Sequence, residues 1–203
     1  MPENLECSFV FPALRSDKVR DSVKVLSGNA PFGLDAPFRV SRLEFTTGVT
    51  TDGTWADFDD FAEAQSSQQV ITVYSEGKGF RSITIARDSK HVECTLAVPI
   101  TQVFELDTVE IESWITGLFS SVLQFGATIA TAGSEVSLSV EAIANADAVS
   151  VALGRPHDWF WLAAPASIGI VNSELIPAVV RSGFRLFRNQ KKIDAYRQWC
   201  LTK

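Results

Sequence analysis

The chain contains two histidines and three cysteines, so imidazole or thiol chemistry has few candidates. His91 and Cys94 lie three apart in a run that alternates as a strand. Side chains at that spacing point to opposite faces, which argues against a base and its nucleophile. Cys94 is expected inside as a small core residue, and His91 near a hairpin turn. His157 precedes Asp158, between Pro156 and Trp159. Adjacent side chains rarely orient one another as base and partner, and no serine or cysteine motif stands beside them. The G-x-S-x-G elbow is absent. His157 is still the better placed of the two. With Arg155, Asp158, Trp159, Phe160 and Trp161 it offers aromatic walls and a few polar groups, the composition of a ligand pocket.

Phosphate and metal chemistry find less support. Gly77-Lys78-Gly79 lacks the Walker spacing and is followed by a hairpin pattern instead of a helix. The spacings H-E-x-x-H, C-x-x-C and the EF-hand loop do not occur. Carboxylates alone could ligate a cation, and the dense group is Asp52, Asp57, Asp59, Asp60 and Glu63. On a helix starting near Trp55, Asp59 and Asp60 each share a face with Glu63. The reading is a solvated acidic helix face or a protein-contact patch. No metal site and no cofactor is assigned.

These groups need elements to position them. Cys7 to Phe11 alternates as a strand, and Ser16 can cap a helix whose Val19, Val23 and Leu26 share one side. Gly28 to Pro37 reads as a loop and Phe38 to Thr47 as a strand. In that strand the apolar parity shifts between Val40 and Leu43, which suggests a bulge or burial on both faces. Gly48 to Thr54 reads as loop, and Trp55, Phe58, Phe61 and Ala62 recur at helical spacing. Gln69 to Ser75 is a strand. Phe80–Arg87 and His91–Val98 form a hairpin. Placing Ile83 and Ile85 with Val92, Cys94 and Leu96 requires Ile85 opposite Val92 and Ile83 opposite Cys94, and so an even loop, two residues (Asp88 and Ser89) or four.

The strongest pattern is a long amphipathic helix near 109–125, with Asp107 or Thr108 as its cap and Gly126 as its stop. Beyond it, Val136–Val140, Val149–Leu153 and Trp159–Leu162 read as strands, and Ser173 to Gly183 as a helix with Pro177 in its first turn. A basic C-terminal helix at about 189–201 is expected to bury Ile193, Tyr196, Trp199 and Cys200. The order gives a single α+β domain over 1–203, mainly an antiparallel sheet with helices packed on it.

Composition agrees with a globular chain: 203 residues, 46% hydrophobic and 21% charged. No run approaches the about 18–20 apolar residues of a membrane span, and the acidic N-terminus lacks a signal-peptide pattern. Three widely spaced cysteines suit reduced thiols, so a cytoplasmic location and no membrane partner are expected. The net charge of −6 is uneven. Residues 1–180 carry 11 Lys/Arg against 23 Asp/Glu, while 181–203 carry seven bases against Asp194. A pI of 5.0 disfavours nucleic acid.

Two functional readings follow. One is an acidic protein-binding module, of the immunity or inhibitor type, that occludes a partner with a basic surface. It would use Asp52, Asp57, Asp59, Asp60 and Glu63, in a stretch from Leu43 to Gly77 without a Lys or Arg. The other is an enzyme or small-molecule binder with a pocket at His157, Asp158, Trp159 and Trp161. The absence of a catalytic constellation favours the first. Neither reading sets the oligomeric state.

Overall fold

In β1 (Asn4–Pro12) the side chains of Leu5, Cys7, Phe9 and Phe11 alternate onto one face, and all four are fully buried. The computed structural model describes residues 4–12, 16–66, 68–75, 81–87, 91–133, 160–165, 176–181 and 184–202. Within them the strands are β2 (Phe38–Glu44), β3 (Thr50–Thr54), β4 (Gln69–Ser75), β5 (Ser82–Arg87) and β6 (His91–Pro99). After the long helix come β7 (Ile129–Gly133), β8 (Phe160–Pro165), β9 (Ile176–Arg181) and β10 (Phe184–Arg188). All pair antiparallel in one sheet of order β3-β2-β4-β5-β6-β1-β7-β8-β10-β9. The fold is α+β, with β1 near the middle of the sheet.

Register sets the two faces. One row of paired residues crosses every strand: Gly53, Val40, Val73, Ile83, Leu96, Cys7, Ala132, Trp161, Arg188 and Ile176. From Val40 to Trp161 this row is buried. The neighbouring row, on the opposite face, runs Asp52, Ser41, Thr72, Thr84, Thr95, Ser8 and Thr131, six successive hydroxyl residues after the aspartate. Ser8 and Thr95 share a hydrogen bond of 2.8 Å across their strands.

The helices cover the apolar face. α1 (Ser16–Ser27) buries Val19, Val23 and Leu26 as the spacing predicts. α2 (Phe58–Glu63) follows a 3₁₀ turn over Trp55–Asp57, and α3 (Ile100–Val103) is a single turn after Pro99. α4 (Thr108–Phe125) buries Ile111, Trp114, Ile115, Leu118, Phe119, Val122 and Leu123, the whole predicted stripe. At its start the Asp107 carboxylate accepts from Glu110 N at 2.9 Å and Glu110 accepts from Asp107 N at 2.8 Å. Gly126 ends it at φ 121°, a conformation that favours glycine. Phe119 and Phe125 meet Phe9 and Phe11 edge to face, at 6.2 and 5.9 Å between centroids. Burial of each stripe residue stabilises the fold by roughly 2 kcal/mol.

Several sequence expectations change. Thr50–Thr54 is an edge strand, not a loop. β2 has no bulge: Leu43 lies on the face opposite Val40 and is 36% exposed. The β5–β6 parity is as expected, but the register is shifted by two residues: Ile85 lies opposite Cys94 and Ile83 opposite Leu96, not opposite Val92 and Cys94. Within the helix expected over 173–183, Ile176–Arg181 is instead the strand β9, paired with β10. Pro177 is compatible with this because β9 is an edge strand. α5 (Gln190–Leu201) buries Ile193, but Trp199 is 43% exposed and lies against Tyr196 at 5.4 Å. The readings at Gly77–Gly79, Val136–Val140 and Val149–Leu153 lie outside the described residues, as do His157, Asp158 and Trp159.

Candidate partner-binding edge

The five acids lie along β3, the 3₁₀ turn and α2, with Asp52 on the sheet face opposite the helices, and they divide into two kinds. Asp57 closes the turn on itself: its Oδ2 accepts from Thr54 N at 2.7 Å and from Thr54 Oγ1 at 2.8 Å. Those two bonds hold its carboxyl below the usual carboxylate range. Asp59 pairs with Arg20 of α1, whose guanidinium also donates to Trp55 O at 3.2 Å and lies over the Trp55 ring. These two acids secure α2 to the fold. Asp52, Asp60 and Glu63 are exposed and have no ion-pair partner among the described residues.

The stretch from Leu43 to Gly77 lacks bases in sequence, but the fold brings arginines to it from outside. Besides Arg20, Arg42 of β2 covers the Phe61 ring at 5.0 Å. Arg87 of β5 donates to Ala62 O at 3.2 Å. Among the described residues no base of the tail pairs with this group. Arg188 pairs with Glu112 of α4, and Arg197 donates to Leu106 O at 2.8 Å.

Beside the acids runs the edge of the sheet. Glu44 N donates to Val49 O at 3.0 Å, which makes 44 and 49 a hydrogen-bonded pair. By antiparallel alternation Thr51 and Gly53 also point their backbone groups at β2. Thr50, Asp52 and Thr54 point theirs away from the sheet, and Asp57 already takes the Thr54 N–H. An open surface pocket of about 520 Å³ lies here, lined by Arg39, Asp52, Gly53, Thr54, Asp57 and Tyr74. At the other end of β3 the turn exposes Leu43, Phe45 (61%) and Val49 (57%). This apolar tip was not singled out in the sequence, although Phe45 and Val49 flank a Gly48 with φ 68° and so sit on a turn. Among the described residues no group of three His, Cys, Asp or Glu is placed to hold a metal.

The other sequence candidates are placed only in part. Trp161 is 2% exposed in the core, on the helix-covered face. Cys94 is buried with its thiol 3.5 Å from Ser22 Oγ, and burial pushes it up to about 12. His91 is half-buried at the start of β6, opposite Pro12. Among the described residues no helix is long and apolar enough to cross a membrane.

No family model matches the chain, and no curated protein matches it. Two solved structures do. One is a chain from the crystal structure of the toxic C-terminal tip of CdiA from Pseudomonas aeruginosa in complex with immune protein. It is 13% identical over 68% of this chain and 89% of that one, with a TM-score of 0.38. The other is the Pseudomonas aeruginosa T6SS protein PA0821, 12% identical over 91% of this chain and 64% of that one, with a TM-score of 0.48. At identities this low and scores below 0.5, neither likeness bears on what this chain does.

Proposed function

We propose that the chain is a protein-binding module of the immunity or inhibitor type, which occludes a partner through that partner's basic surface. The observation that supports it is the set of exposed carboxylates Asp52, Asp60 and Glu63, unpaired among the described residues, together with the exposed apolar side chains Phe45 and Val49 at the turn before β3. Unpaired rim charge speeds encounter and rejects like-charged partners, and a desolvated apolar centre supplies affinity. Asp57 and Asp59 serve this surface indirectly, by holding the turn and α2 in place.

The test is a comparison of the chain with a triple variant, Asp52→Lys, Asp60→Lys and Glu63→Lys, each used as bait in lysate from the source cells. A stoichiometric protein should be retained by the original and lost by the variant, with the complex weakening as salt rises. Equal retention by both baits, or a complex indifferent to salt, would remove the charge-based reading.

A further inference from the structure

Resting on the protein-binding reading, we infer that the open edge of β3 takes one extended segment of the basic partner as an added strand. β3 ends the sheet order, and Thr50, Thr51 and Asp52 are all exposed. The outward N–H and C=O groups of Thr50 and Asp52 form a short ladder without a partner among the described residues, and Asp57 closes it at Thr54. Natural edges are commonly blunted by lysine, proline or a bulge. β3 has no lysine or proline, and its register with β2 is unbroken.

The side chains flanking this ladder define the occupant. Leu43, Phe45 and Val49 are exposed at the turn end, and Asp52 stands at the far end with no ion-pair partner among the described residues. An incoming strand therefore meets apolar contacts first and a carboxylate one or two positions along, which suits a segment alternating apolar residues with Lys or Arg. A second copy of this chain fits poorly. Antiparallel pairing of β3 with itself sets the two Asp52 carboxylates directly opposite each other or, with Asp52 opposite Thr50, as diagonal neighbours.

The probe is a blocked nine-residue peptide alternating lysine with valine, titrated into the isotope-labelled full chain, beside its glutamate counterpart. Amide exchange at Thr50 and Asp52 should slow at least tenfold with the lysine peptide. Exchange at Thr51 and Gly53, already bonded to β2, should change little. Thr50→Pro removes an outward donor without removing a bond to β2, so it should weaken the peptide at least tenfold at an unchanged melting temperature. Protection in the original chain stands as evidence whether or not that variant folds.

The outcomes separate the two claims. Lysine-peptide binding that leaves Thr50 and Asp52 unprotected, or that survives Thr50→Pro, overturns the edge docking and leaves the acidic surface intact. Protection by both peptides alike keeps the edge and overturns the charge-based function. No protection by either peptide overturns the edge docking, as does self-association of the free chain through β3.

Discussion

Glu93 offers a sharp physical test of the fold. It stands in β6 between Ala86 of β5 and Val10 of β1, is 9% exposed, and its Oε1 is buried without a hydrogen bond among the described residues. Burial pushes its carboxyl up to about 7; the Ser8 hydroxyl acts the other way, and the nearby Glu6 charge adds to the rise. Unfolding returns the group to about 4.5. The folded chain therefore holds a proton that the unfolded chain has released between these two values. Stability contributed by the protonated form is complete below about pH 4.5 and falls as pH rises, until it is gone above about 7. At 1.36 kcal/mol per pH unit the loss is about 3 kcal/mol.

Glu93→Gln keeps the shape and removes the titration. Urea unfolding followed by tryptophan fluorescence, from pH 4.5 to 8.5, should give nearly equal stabilities at the acid end. At pH 8 the variant should be more stable by about 3 kcal/mol. All other groups titrate in both chains, so the difference curve isolates Glu93. Parallel curves, or a variant less stable at pH 8, would refute the burial argument.

Phe119→Ala should cost about 3–5 kcal/mol in the same urea experiment, because it empties the contact with Phe9 beneath α4. Asp59→Lys should lower the melting temperature by placing a cation against Arg20, whereas Asp60→Lys, at an exposed site on the same helix, should leave it within a degree or two. Cys7 and Cys94 should resist a thiol reagent at pH 8 in the folded chain and react fully in urea, as read by peptide mass, because burial raises both thiols.

What was legible in the sequence is what local periodicity encodes. The α4 stripe repeats at 3-4-3-4 over four turns, and the β5–β6 alternation fixes parity although not loop length. β3 carries Thr-Thr-Asp-Gly-Thr, with no apolar residue to alternate, because an exposed edge buries nothing. β7 escaped because Ile-Ala-Thr-Ala-Gly is built of small residues buried on both faces. Residues 173–183 imitated a helix start, and only pairing with β8 and β10 shows the strands.

The acid cluster was visible as a density of charge, but its division was not. Arg20 reaches Asp59 from 39 residues away, which no local pattern records. The Thr54–Asp57 bond was within reach, since Thr-x-x-Asp is the spacing of a capping box.

The place of β1 in the sheet bears on how the chain is made. β1 lies between β6 and β7, and Thr131 donates to the Ser8 carbonyl from 123 residues further along. At about 5–20 residues per second, a ribosome needs roughly 6–25 s to travel that distance. Phe9 and Phe11 gain the β6 strand first and the Phe119 and Phe125 rings next, and β7 completes the pairing of β1 last. The nascent chain thus carries an apolar strand whose full pairing depends on segments as far along as residues 129–133.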